Sequence, residues 1–279
     1  MDESLTALLR WYLDMGVDSA VDDAPHDRFA ETLAPARGKP PADKACEEPA
    51  AASRKAQAQE AAAMPAAAIA AGAAVEAAAA KTLEDLRAFL ARFEGCGLKA
   101  TATQLVFGDG NPRAKIMFVG EAPGAEEDRQ GVPFVGRAGR LLDKMLGSIG
   151  LDRSRVYIAN IVPWRPPGNR TPTPAETAAC LPFTRRQIAL VHPKILICLG
   201  APSAQTLLGG KDGILRMRGR WLSYREAGKE IPALAMLHPA YLLRQPSQKK
   251  LAWHDLRLLA KEIARLGLLS TAEGEVHEG

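Results

Sequence analysis

No two of the four cysteines in this chain stand at CxxC spacing; Cys46, Cys96, Cys180 and Cys198 are scattered over its 279 residues. So sparse a set of thiols points to a reducing compartment, the cytoplasm, rather than to a disulfide-stapled secreted scaffold. Long runs of large apolar residues are also missing. The one stretch of membrane-like length, AAAMPAAAIAAGAAVEAAAA, is nearly all alanine, is interrupted by Pro65 and carries Glu76. It lacks the Leu, Ile and Phe content that drives insertion. No charged-then-apolar leader opens the chain, and no GxxxxGK[ST] run offers the phosphate cradle expected of a phosphate-binding hydrolase.

What is present is divided unevenly. Residues 1–80 carry 7 Lys/Arg against 13 Asp/Glu, a net −6, whereas residues 81–279 carry 29 against 19, a net +10. A basic body beside an acidic N-terminus suits a polyanionic partner, although a solvated surface is also basic without one. Residues 1–33 contain SLTALLRWYLDMG, an amphipathic helical pattern ending at Gly16. Residues 34–80 are Ala, Pro, Glu and Lys with almost no large apolar side chains, the composition of a disordered linker. From 81 to 279 the pattern is that of one domain. TLEDLRAFLARFEG reads as a helix, AKIMFVG as a buried strand and VGRAGRLLDKMLGSIG as a helix. RVYIANIVPW is a second strand, TPAETAACLPFTRRQIALV a helix with Thr173 at its N-cap, KILICLG a third strand and IPALAMLHP a fourth. Strands alternating with helices of this length predict an α/β fold with a mainly parallel four-stranded sheet covered on both faces.

In such sheets ligands sit beyond the carboxyl ends of the strands, and three unusual segments follow strand ends. They are GEAPGAEEDRQGVPFVGRAG from Gly120, NIVPWRPPGNRTPTPAE from Asn160 and HPAYLLRQPSQKK from His238. In that order and at these separations they closely resemble the family 4 uracil-DNA glycosylases, over about residues 93–256. The resemblance implies the three-layer α/β/α fold of that family. It also implies an enzyme that flips a nucleotide out of DNA and hydrolyses the bond between sugar C1′ and uracil N1.

Carried over position by position, the resemblance implies that Glu121 orients water and stabilises positive charge on the sugar. Gly120, Ala122, Pro123 and Gly124 would line the nucleotide's approach, glycine allowing the backbone close. Phe134, set among Gly131, Pro133 and Gly136, would stack on the extruded base. Asn160 would read the N3–H and O4 edge, which cytosine presents with donor and acceptor exchanged. His238 would stabilise charge on uracil O2, and Glu127 matches an acid near the C5 edge that thymine's methyl group occupies. Leu242, Leu243 and Arg244 are candidates for the wedge and phosphate contact, with Lys249 and Lys250 adding backbone affinity. Each has a plainer reading: Glu121 as a helix cap, Phe134 as core, Asn160 and His238-Pro239 as turns, and the EED run and the lysines as solvated surface.

The family's members hold a 4Fe–4S cluster on four cysteines. At the corresponding positions this chain has Phe93, Cys96, Trp164 and Cys180, and neither Phe nor Trp ligates iron. The expectation is no cluster, with two aromatic rings packed where it would sit, and no other metal. Cys198 reads as a small core residue, and Cys46 lies in the linker. A related group that traps uracil-DNA covalently carries GEQPG and a KRRIH insert; here the first motif is GEAPG and KRRIH is absent, so ordinary turnover is expected. The sequence thus points to a cytoplasmic, monomeric, monofunctional repair glycosylase acting on uracil-containing DNA, without membrane association and with a possible protein partner at its N-terminal segment. The alternative is a catalytically idle DNA-binding module of the same fold.

Overall fold

The computed structural model describes residues 66–226 and 228–268. The amphipathic pattern in residues 1–33, most of the linker and Cys46 lie outside them. The last part of the stretch read as linker differs from that reading: Ala66–Ala79 is a helix, α1. Its small side chains explain both the reading and the outcome. Ala73 and Ala77 are buried, as is Ala80 just beyond the helix, while Ile69 packs against the core, so an alanine face lets one helix backbone lie close on another. Arg186 fastens the end of this segment by donating to the Ala80 carbonyl.

Helix α2, Leu83–Arg92, opens with a capping box in which Thr82 and Asp85 satisfy each other's backbone N–H groups. Beyond it come β1 (Asp109–Gly110), β2 (Ile116–Gly120), α3 (Ala125–Gln130), α4 (Arg137–Gly147) and β3 (Val156–Asn160). Then follow α5 (Pro174–Val191), β4 (Ile195–Leu199), α6 (Ala201–Leu208), α7 (Ile214–Met217), β5 (Trp221–Glu226), β6 (Lys229–Met236), α8 (Pro239–Arg244) and α9 (Lys249–Arg265). Helix α5 starts at Thr173, whose hydroxyl accepts from the Glu176 N–H while the Glu176 carboxylate accepts from the Thr173 N–H.

The sheet has six strands among the described residues, in the order β1-β3-β2-β4-β6-β5. The central four, β3-β2-β4-β6, are parallel, and both edge strands run antiparallel to their neighbours. The sequence reading of four strands is therefore corrected to six. Strand β1 is only two residues long, too short for any periodic signal, and β5 (WLSYRE) is a half-exposed edge with little apolar content.

Alternate residues of the inner strands enter different cores, which makes the described domain three-layered. Met117, Val119, Tyr157, Ala159, Leu196 and Cys198 face the layer built on α1, α2 and α5. Ile116, Phe118, Val156, Ile158, Ile195, Ile197 and Leu199 face the layer of α4, α8 and α9. This arrangement brings the ends of β2, β3, β4 and β6 to one rim.

Candidate active site

The register of the parallel strands sets the floor of the site. Gly120, the last residue of β2, lies directly beside Asn160, the last of β3. A Cβ on Gly120 would fall 2.4 Å from Asn160 Oδ1 and 2.7 Å from Phe134 Cζ. Glycine is therefore needed here so that an amide and an aromatic ring can share the space. Two strands away β6 ends at Met236, placing His238 on the same rim. A cleft of about 570 Å³ opens there, and Glu121, Ala122, Pro123, Gly124, Glu127, Phe134, Asn160, His238 and Arg244 all border it.

Each polar group has an environment that gives it a direction. Burial pushes the Glu121 carboxyl above its usual range, with the Thr171 hydroxyl acting in the opposite sense. Its Oε1 is buried without a hydrogen-bond partner, as are both Oδ1 and Nδ2 of Asn160, itself only 4% exposed. Buried polar atoms are normally paired, so three orphans on residues lining one cleft mark groups poised for something that enters it.

His238 N-caps α8, its Nδ1 accepting from the Ala240 N–H at 3.1 Å. That contact leaves the neutral imidazole's proton on Nε2. Burial first, and Arg244 second, lower the His238 pKa to about 4, so the ring is neutral at physiological pH. The Phe134 ring lies 5.5 Å from the His238 ring, tilted by 33°.

Glu127 borders the cleft, but its carboxylate is occupied. Oε2 accepts from the Gly124 N–H at 3.2 Å, and Oε1 from the Val135 and Gly136 N–H groups at 3.0 and 2.8 Å. It ties the GEAPG turn to the segment carrying Phe134.

Leu242 is corrected as a wedge. It is 1% exposed and sits in the core layer beneath α8, because helical spacing from His238 turns it inward. Leu243 is half-buried, and Arg244, Lys249 and Lys250 are exposed.

The sequence reading missed several bordering residues. Asn169, Arg170, Thr171 and Pro172 come from the loop after β3, Ile214 from α7 and Tyr241 from α8. Arg170 is held by a bidentate pair with Glu176 at 2.9 and 2.7 Å. Next to Ile214, Leu215 is 59% exposed. For Asn169 to Pro172 the sequence signal was that NRTPTP stands in the segment after β3; Ile214 lies on the short helix α7, which follows α6, and carried none.

The four positions matching the family's cluster ligands lie in one apolar core. Phe93, Cys96, Trp164 and Cys180 are all buried in the same layer, and the Phe93 ring meets Phe183 edge-on at 5.0 Å. Contact with Cys96, then burial, raise the Cys180 thiol well above its ordinary value, so it is not a thiolate at neutral pH. Two thiols and two aromatic rings do not fit a four-thiolate cluster. Cys198 is fully buried with its thiol pushed up to about 12, as expected of a core residue. Among the described residues, no helix is long and apolar enough to cross a membrane.

Comparison with known proteins agrees with this geometry. Residues 107–257 match the family described as the uracil DNA glycosylase superfamily. The chain is 41% identical over 174 residues to the type-4 uracil-DNA glycosylase of Archaeoglobus fulgidus, covering 61% of this chain and 87% of the relative. It is 45% identical over 155 residues to that of Thermotoga maritima (55% and 79%), and 39% over 188 residues to that of Sulfurisphaera tokodaii (66% and 85%).

Proposed function

The chain belongs to the uracil-DNA glycosylase superfamily, and from that premise we propose how its own residues do the chemistry. It is a uracil-DNA glycosylase, a hydrolase of N-glycosyl bonds acting in DNA repair. Uracil is extruded into the cleft and stacks on Phe134. Asn160 donates to O4 through Nδ2 and accepts from N3–H through Oδ1, which satisfies its two orphaned atoms. Cytosine would leave both mismatched in a buried site, and such mismatches discriminate strongly.

As the C1′–N1 bond breaks, its electron pair leaves with the base and the sugar becomes cationic. The neutral His238 donates its Nε2–H to uracil O2, where the charge accumulates. The Glu121 carboxylate faces the cation, orients water toward C1′ and accepts its proton, and a raised pKa makes it the better base. The products are free uracil and an abasic site. No amine nucleophile stands in the cleft lining, so strand cleavage is not expected.

The observation that carries this reading is the convergence of Glu121, Phe134, Asn160 and His238 on one cleft. We further propose that no iron–sulfur cluster is assembled, its place being filled by the packed rings of Phe93 and Trp164. The cleft is complete within one chain, which supports action as a monomer, and we place the enzyme in the cytoplasm. The test is release of uracil from a uracil-containing oligonucleotide, with thymine- and cytosine-containing strands as controls. Release specific to uracil supports the reading. Tight DNA binding with no base release would make the protein an idle DNA-binding module.

A further inference from the structure

Phe134 has a backbone φ of 56°, the left-handed region that a bulky residue avoids. Strain of this kind persists only where the surroundings impose it. Two side chains do so from opposite sides of the segment 133–136. On the N–H side, Glu127 accepts from Val135 and Gly136. On the carbonyl side stands Arg153, which no part of the mechanism uses and which lies 19 residues further along, just before β3.

The Arg153 guanidinium donates from Nη1 to the Pro133 carbonyl at 3.1 Å and from Nη2 to the Phe134 carbonyl. Its remaining donors anchor it to the body of the domain, Nη1 to Asp109 at 2.7 Å and Nε to Asp143 at 2.9 Å. The strand β1, absent from the sequence reading, thus has a role in holding Asp109 where Arg153 needs it. The Phe134 carbonyl is also pressed by α4: a Cβ at Gly139 would lie 1.6 Å from it.

We propose that Arg153 is a positioning residue for uracil recognition: by gripping the Pro133 and Phe134 carbonyls it keeps Phe134 left-handed and so fixes the ring across the base pocket. Arginine suits this task because its planar fork spans two carbonyls and two carboxylates at once, which a lysine ammonium does not. Without the grip, Phe134 relaxes toward ordinary backbone angles and its ring leaves the position beside His238 and above the Gly120–Asn160 floor. The proposal rests on the stacking role of Phe134 given above.

The test is a double-mutant cycle on single-turnover uracil release, with the thermal midpoint and the affinity for abasic-site DNA measured on every variant. R153A is expected to slow release roughly tenfold or more, the scale of a lost aromatic stack, with affinity for abasic-site DNA changed by less than about threefold. R153K, which keeps the charge and the packing, should fall between R153A and the parent. In the F134A background, R153A should slow release by less than about twofold, because its effect passes through the ring. Equal slowing by R153A in both backgrounds would overturn the proposal, marking Arg153 as a general structural residue. So would full activity of R153A alongside a slow F134A, which would spare the stacking role. Full activity of F134A would remove both. Should R153A not fold, R153K alone in the two backgrounds gives the same comparison.

Discussion

Replacing Asn160 by alanine separates recognition from stability more sharply than any other change at the site. In the free protein the Asn160 side chain is 4% exposed and neither heteroatom has a hydrogen-bond partner. Truncation therefore removes no hydrogen bond from the native state. It relieves two buried polar groups whose isolation costs about 1–3 kcal/mol each, and the cavity left by truncating a buried side chain costs about 2–5 kcal/mol in the opposite sense. The expected change in stability is within about 1 kcal/mol of zero, a thermal-midpoint shift of no more than about 2–4 °C for a domain of this size. Recognition should suffer far more. Two hydrogen bonds to uracil are lost, worth about 0.5–1.5 kcal/mol each, and the base's N3–H and O4 are left buried and unpaired at about 1–3 kcal/mol. A total near 3 kcal/mol is about a hundredfold. The assay is single-turnover uracil release with enzyme in excess, beside thermal unfolding of the same samples. A midpoint lowered by more than about 5 °C would show that Asn160 is bonded in the native state. Release within about threefold of the parent would show that it does not read the base.

The remaining predictions concern charge, space and metal. Because burial raises the Glu121 pKa, the acid limb of uracil release should lie above the ordinary carboxylate range, and E121Q should be slow and lack that limb. The His238 pKa is lowered from 6.5 to about 4, so between those values the unfolded chain binds the extra proton. Its contribution to stability is complete above pH 6.5 and declines as pH falls toward 4, and H238Q should flatten that part of the stability profile. L242A should destabilise the fold by about 2–5 kcal/mol, as a buried leucine does. G120A should fold yet release uracil poorly, its methyl group displacing Asn160 or Phe134. Purified protein should be colourless and contain iron well below one equivalent, and four equivalents would refute the packed-ring reading.

The parallel core was legible because IMFVG, VYIAN and ILICL are unbroken apolar runs, the mark of strands buried on both faces. The alanine helix Ala66–Ala79 was not, since a face of methyl groups carries no periodic contrast and is buried only by the partner helix it meets. Glu121, Asn160 and His238 stand at or just after the ends of such runs, which placed them on one rim, but their roles came only from the resemblance of the three motifs. Leu242 was misread as a wedge because its inward orientation depends on α8, a six-residue helix too short to show a period. Arg153 was invisible for a related reason. Its partners Asp109, Pro133, Phe134 and Asp143 are brought together only by tertiary folding, and nothing in LDRSRV distinguishes it from a solvated arginine.

The most direct measurement is a crystal structure of the protein with DNA carrying a non-hydrolysable deoxyuridine analogue. The account predicts the extruded uracil against the Phe134 ring, its N3–H and O4 on the Asn160 amide, its O2 facing His238 Nε2 and its C1′ facing the Glu121 carboxylate. Uracil held elsewhere, or held in this cleft with Asn160 and His238 making no contact to it, would contradict it.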